Sequence, residues 1–201
     1  MKRRYLKCRL LIALILPALF VPARAADLEF TLVHDSQPEK ATRDQLLKLL
    51  KQYDLSDFIW TTKIAIDSGA VAHSHPVLTL PTRYLKQDKQ LVAAFIHEQY
   101  HWYEEKHRND TDAAIADLRS QWHALPVGPP EGAEDEDGTY LNVITCYAEY
   151  QELKRIFSEG DAKKIVDFWM KDHYRAIYGL ILGEEINVGV IVRRHGLWPP
   201  L

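Results

Sequence analysis

The chain of 201 residues is long enough to bury a hydrophobic core and falls within the usual range of a single domain. Its formal net charge is −3, but six of its 25 basic residues lie in the first 25 positions, where there is no acidic residue. The remaining segment has 19 basic and 28 acidic residues, a net charge of −9. This charge excludes the basic surface that nucleic-acid-binding proteins need, so we expect no nucleic acid as a partner.

The first 25 residues have the three parts of a secretory signal peptide. Basic residues between Lys2 and Arg9 precede an apolar run at 10–21, and the segment ends on Ala-Arg-Ala at 23–25. The run is short for a membrane span, which needs about 20 residues, although an uncleaved N-terminal anchor is the alternative. Cys8 precedes the run and does not match the lipidation cysteine of a bacterial lipoprotein. We predict a bacterial protein that is periplasmic or secreted, with no stable membrane span after cleavage.

Residues 26–201 are predicted to form one domain, which contains a single cysteine, Cys146. No intramolecular disulfide can therefore form there, although exported proteins commonly contain disulfides. The fold must be held together by packing or by a metal ion.

Periodic hydrophobic patterns predict an α+β domain, with strands near its beginning and helices after them. The strands are predicted at 28–33, 58–66 and 77–80, with a helix at 42–53 that has Thr42 as its N-cap. From position 88 onward the pattern is helical, and helices are predicted at 88–106, 111–124, 139–158, 161–171, 174–182 and 184–194. The stretch 125–138 is rich in proline, glycine and acidic residues and is predicted as a surface loop, without the spacing of an EF-hand calcium site.

The segment His97-Glu98-Gln99-Tyr100-His101 matches the H-E-x-x-H motif. In a helix the two histidines lie about one turn apart on the same face, where both can bind one metal ion. Glu98 stands beside the position that a hydrolytic zinc site keeps open for water, and its carboxylate can act as general base and acid. The apolar residues before the motif predict a buried helix, in which histidine and glutamate are costly unless they are paired or ligated.

With this motif on a helix that follows a small sheet, the sequence resembles the zincin metallopeptidases. The resemblance rests on His97, Glu98 and His101 and implies a zinc-dependent peptidase that acts on a peptide or protein substrate. It also implies an edge strand at 77–80, entered through Pro76, that aligns the substrate by β-augmentation.

Two residues are candidates for the third zinc ligand, and they imply different subfamilies. His107 stands where the metzincin pattern H-E-x-x-H-x-x-G-x-x-H has its third histidine, but Glu104 replaces the glycine that lets the chain turn. If the helix continues through Lys106, His107 faces away from His101. Met170 also lies in a helical pattern and not in a turn, unlike the methionine of metzincins.

Glu149 is the preferred candidate, because it is a lone carboxylate in the otherwise apolar helical stretch 141–150. It follows His101 by 48 residues, a separation compatible with the gluzincins, the zincins related to thermolysin, whose third ligand is a glutamate on a second helix. The gluzincin motif is incomplete here, so support for a histidine ligand would come from another residue, for which we consider Glu152. The alternative is that Glu149 pairs with a buried arginine or tyrosine.

Other residues near the motif are weaker candidates. By resemblance to gluzincins, one of His173, Tyr174 and Tyr178 is expected to stabilise the oxyanion, although the three could equally form an ordinary aromatic helix face. His73 and His75 have the spacing of a metal-binding pair on a strand, but loop histidines that do not bind a metal are more common. Cys146 precedes Glu149 by one turn and is read as a small buried hydrophobe, with a role beside the metal as the alternative.

The motif predicts a hydrolytic metal site more firmly than it predicts a substrate. A metal-dependent amidase that acts on cell-wall peptides is an alternative, because the same site cleaves any accessible amide. A non-catalytic exported metal-binding protein of the cell envelope is a second alternative. The sequence leaves the oligomeric state open.

Overall fold

The computed structural model describes residues 27–199, so the predicted signal peptide at 1–25 lies outside the described residues. Three strands, β1 (Glu29–Leu32), β2 (Lys63–Asp67) and β3 (Leu78–Pro81), precede most of the helices. The six α-helices are α1 (Gln37–Gln52), α2 (Asp88–Lys106), α3 (Arg108–Gln121), α4 (Glu136–Ile156), α5 (Glu159–Trp169) and α6 (Arg175–Arg194). The predicted α+β class is confirmed, with a small sheet near the start of the chain and a mainly helical remainder.

The three strands form a parallel sheet in the order β1-β2-β3. The outer side of β3 is occupied at one position, because Thr79 exchanges two backbone hydrogen bonds with His73 of an antiparallel segment (3.1 and 2.8 Å). The predicted edge at 77–80 is therefore not free for a substrate at Thr79. In an antiparallel pairing of this kind, the amide and carbonyl of Ala72 face away from β3.

Helix α1 and strand β2 show the largest differences from their predicted starts, and the structure gives the reason for each. Helix α1 begins at Gln37 and not at Thr42, because Ser36 and Glu39 form a capping box and Pro38 fits the first turn. Strand β2 begins at Lys63 and not at position 58, because Ser56–Phe58 forms a short 3₁₀ helix.

The two short helices predicted at 174–182 and 184–194 form one element, α6, in which only Glu184 has non-helical dihedral angles. The predicted helix at 88–106 is confirmed by α2, which has the same bounds. Helices α3, α4 and α5 each begin two or three residues earlier than predicted and end two or three residues earlier.

Helices α2 and α4 form the centre of the domain. Residues 91–100 of α2 are buried without interruption, and this helix contacts β3, α1, α3, α4 and α5. Helix α4 contacts α2, α3, α5 and α6 and is buried along most of its length. Both helices carry polar residues of the candidate site, so the site lies within the core. Among residues 27–199, no helix combines the length and the apolar character that a membrane span requires.

Glu39 joins the ends of β1 and β2 through its carboxylate. Its Oε2 accepts from the amides of His34 (3.0 Å) and Ser36 (3.1 Å), and its Oε1 accepts from the amide of Ser68 (3.1 Å). Burial alone would raise the pKa of Glu39, but these three bonds outweigh it and lower the pKa to about 2. Ligand atoms of His34, Glu39 and Asp67 lie within 4.8 Å of one another, but the three amides already engage this carboxylate. We interpret the group as a structural contact.

Replacing Glu39 with glutamine should lower the melting temperature near neutral pH, because the amide cannot accept the three bonds as a carboxylate does. A depressed pKa stabilises the fold above the unfolded pKa, and this stability is lost as pH falls from about 4.5 towards about 2. The difference between Glu39→Gln and the parent should therefore shrink over that interval in thermal unfolding. Asp44→Asn, an exposed change on the same helix, is the control, and an undiminished difference at about pH 2 would contradict the prediction.

Candidate active site

Gln99 and Tyr100, two of the three residues between the histidines of the motif, hold α2 in place. The Oε1 of Gln99 accepts from the amides of Trp60 (2.8 Å) and Thr61 (3.0 Å), and its Nε2 donates to the carbonyl of Thr61 (2.9 Å). The hydroxyl of Tyr100 donates to the carbonyl of Leu197. Gln99 thus connects α2 to the segment before β2, and Tyr100 connects it to the C-terminal segment. The positions of the other three motif residues are fixed by these contacts.

The rings of His97 and His101 lie side by side, with centroids 5.0 Å apart and planes at 80°. His97 is buried, and His101 is partly buried. Burial lowers the pKa of His97 to about 4, although Glu98 and Asn142 act in the opposite direction. His97 is therefore neutral at neutral pH, which is the form of imidazole that binds a metal ion.

Glu149 of α4 lies against His97, as the choice of Glu149 from the sequence requires. Its Oε2 is 3.0 Å from Nδ1 of His97 and accepts from the hydroxyl of Tyr178 at 2.8 Å. Its Oε1 accepts from Nε1 of Trp169 at 3.0 Å. Burial raises the pKa of Glu149 to about 7, and the bonds from Tyr178 and Trp169 oppose this shift. Tyr178 is thus the buried tyrosine partner that the sequence analysis gives as the alternative role of Glu149.

His101 has its own buried carboxylate partner, Glu104. Nδ1 of His101 is 2.8 Å from Oε2 of Glu104, whose Oε1 accepts from the hydroxyl of Thr145 at 2.8 Å. Burial lowers the pKa of His101, but Glu104 outweighs burial and the net shift is upward. A carboxylate on Nδ1 fixes the ring and leaves Nε2 for a metal ion. The prediction that Glu152 supports a histidine ligand is wrong, because Glu152 bonds the guanidinium of Arg155.

Glu98 lines a cleft of about 630 Å³ together with His97 and Glu149. Burial raises its pKa, while the two neighbouring histidines lower it. A carboxylate with a raised pKa that opens to a cleft is suited to proton transfer. The other walls of the cleft come from the segments at 71–72, 83–84 and 129–135 and from the residues between α5 and α6.

The three candidates for the oxyanion stabiliser all line this cleft, but their contacts differ. Tyr178 donates to Glu149, and His173 is bonded through Nδ1 to Asp172 at 3.0 Å. The ring of Tyr174 stacks on that of His97, with centroids 6.0 Å apart and planes at 22°. Tyr174 has a φ of 52°, a conformation that is costly for a tyrosine and that occurs at functional sites. Burial raises the pKa of Tyr174, so its hydroxyl is a neutral donor.

The residues with weaker metal patterns lie elsewhere. Helix α2 continues through Lys106, as Glu104 predicts, and Nδ1 of His107 bonds the carbonyl of Tyr103 at 2.9 Å. The ring of His75 stacks on Trp102 (4.3 Å), and His73 bonds β3. Among the described residues, none of these histidines belongs to a group of three potential ligands.

Sequence reasoning missed several residues of the site. The sequence predicts only that Glu104 continues the helix. Its position three residues after His101 also brings it to the same face of that helix. The stretch 125–138 is predicted as a surface loop, but Gly132, Ala133 and Glu134 form one wall of the cleft. No local pattern identifies such a wall, because it is placed by backbone bonds from Arg175 and Ala176 to the carbonyls at 130 and 131.

The donor atoms present are of the kinds that zinc binds in proteins. His97 Nδ1 and Glu149 Oε2 are 3.0 Å apart, near the separation of about 3.3 Å that bonds of 2.0–2.1 Å give at a tetrahedral ion. Ligand atoms of His97, Cys146 and Glu149 all lie within 4.8 Å of one another. His101 lies beside this group and would contribute through Nε2. The residue types are compatible with a zinc ion, but the close group consists of His97, Cys146 and Glu149 and does not include His101.

Comparison with known proteins gives no match to this chain, whether with protein families, with characterised proteins or with solved structures. The functional interpretation therefore depends on the residues of the site.

Replacing Glu104 with glutamine should weaken zinc binding by about 10–100-fold, because His101 loses the carboxylate that orients its ring. Competition with a chromophoric chelator measures the affinity. Glu105→Gln is a matched control, since Glu105 is the next residue of α2 and bonds the exposed His75. Equal affinities for the two variants would show that Glu104 does not orient a ligand.

Proposed function

We propose that the chain is a zinc-dependent peptidase of the gluzincin type, exported from a bacterial cell. In this proposal His97, His101 and Glu149 hold the zinc ion, and Glu98 is the general base and acid. The domain from residue 26 onward is the catalytic unit, and its substrate is a peptide or protein.

The observation that supports this proposal most is the contact between Glu149 and His97. These residues are 52 positions apart on two different helices, yet their side-chain atoms come within 3.0 Å in the core. A buried imidazole and a buried carboxylate are costly to desolvate, and a shared ion is one way to offset that cost. Glu98, the residue that would act on water, opens to the cleft beside them.

The roles of the other residues follow from their positions. Bound zinc would act as a Lewis acid that polarises the scissile carbonyl and activates water. Glu98 would take a proton from the attacking water and deliver it to the leaving amine, for which a raised pKa is suitable. Tyr174 would donate a hydrogen bond from its hydroxyl to the oxyanion, because its ring stacks beside His97 and burial, which raises the pKa of Tyr174, keeps the hydroxyl neutral.

A peptide backbone would lie along the segment that precedes β3. Because the amide and carbonyl of His73 both face Thr79, those of Ala72 face the opposite way in an antiparallel pair. Val71 and Ala72 line the same cleft as Glu98. Pairing with Ala72 would place an extended peptide across the motif.

The variant Glu98→Gln should keep its zinc and lose turnover by on the order of 10²–10⁴-fold, because the amide cannot accept a proton. Metal content by mass spectrometry and cleavage of an end-blocked peptide library are the two measurements. If the parent and Glu98→Gln cleave the library equally, the peptidase proposal fails. Cleavage of peptidoglycan fragments alone, with unfolded proteins left intact, would identify an amidase instead.

Two alanine variants test the choice of the third ligand. Glu149→Ala should lose zinc, because it removes the carboxylate that contacts Nδ1 of His97. His107→Ala should retain zinc, because His107 is bonded to Tyr103 and stacks on its ring at 4.0 Å. The opposite result, with zinc lost only in His107→Ala, would move the protein to the metzincins.

A further inference from the structure

We propose that the sulfur of Cys146 is a ligand of the metal ion, together with His97 and Glu149. This inference rests on the proposed function in one respect, namely that an ion binds between α2 and α4. It assigns to Cys146 a role that the peptidase proposal does not use.

The position of Cys146 supports this role. Its sulfur, a nitrogen of His97 and a carboxylate oxygen of Glu149 lie within 4.8 Å of one another, a group that does not include His101. Cys146 and Glu149 are three residues apart on α4 and therefore project from one face of the helix towards α2. The residue is 0 % exposed, so its sulfur lies in the core and does not contact solvent.

Asn142 provides a second, independent observation on the same face of α4, one turn before Cys146. Its side chain is 6 % exposed, and its Oδ1 has no hydrogen-bond partner among the described residues. Because Asn142 shifts the pKa of both His97 and Tyr174, its side chain lies close to both residues at the site. A buried carbonyl oxygen in this position is a further donor atom that an ion in the site could use.

Binding of the metal ion to Cys146 involves no change of oxidation state. The S–H bond of Cys146 breaks, the proton passes to solvent, and the thiolate forms a bond to the divalent ion. Thiolate is a soft ligand, so the site would bind thiophilic ions such as Co²⁺, Zn²⁺ and Cd²⁺ in preference to Mg²⁺ or Ca²⁺. Catalytic zinc can expand to five ligands during a reaction, so a sulfur ligand is compatible with hydrolysis.

Cobalt substitution tests the inference by spectroscopy and not by activity. The full chain carries Cys8→Ser in every sample, so that Cys146 is its only thiol. One equivalent of Co²⁺ should give an intense near-ultraviolet band from sulfur-to-cobalt charge transfer, together with weaker visible bands. In Cys146→Ser the charge-transfer band should disappear while the visible bands remain, and circular dichroism checks that the variant is folded.

A matched control moves the thiol without changing its number. The double variant Cys146→Ser/Ser120→Cys places it on the exposed face of α3 and should also lack the charge-transfer band. Two outcomes would overturn the role of Cys146 but leave the proposed metal site intact. The parent would bind cobalt without this band, or the band would persist in Cys146→Ser. A parent that binds no Co²⁺, or binding that survives in Glu149→Ala, would overturn the proposed metal site as well.

Discussion

The burial of carboxylates and imidazoles between α2 and α4 is the constraint on which the rest of the structure depends. Glu98, Glu104 and Glu149 are all buried, as is His97. Each of these groups would be costly to bury without a partner. Each of the two histidines has a carboxylate on Nδ1. The pairing explains why two helices that form the centre of the core can carry so many polar groups.

The features that could be predicted from the sequence are those that depend on neighbouring residues. The bounds of α2 follow from an apolar run around the motif, and Glu149 could be chosen because it is a lone carboxylate in an apolar helix. The continuation of the helix through Glu104 follows from the absence of a glycine. Periodicity and burial cost are local properties, and they are readable without a partner in view.

The features that could not be predicted depend on contacts distant in sequence. The start of β2 depends on the turn before it and on Gln99, which binds the backbone at Trp60 and Thr61 from 39 and 38 residues away. The wall of the cleft depends on backbone bonds between the residues at 130–131 and the start of α6. The carboxylate partner of His101 is Glu104 and not Glu152, because Glu152 bonds the guanidinium of Arg155.

The donors to Glu149 come from Trp169 at the end of α5 and from Tyr178 in α6, so the candidate ligands alone do not complete the site. A chain that ended after α4 would keep His97, His101 and Glu149 but would leave this carboxylate without two of its three neighbours. Local opening of α6 would remove one of these two donors, Tyr178, while the sheet and α2 stayed folded. Helices α5 and α6 thus help to hold the site in its assembled state, although they supply none of the proposed ligands.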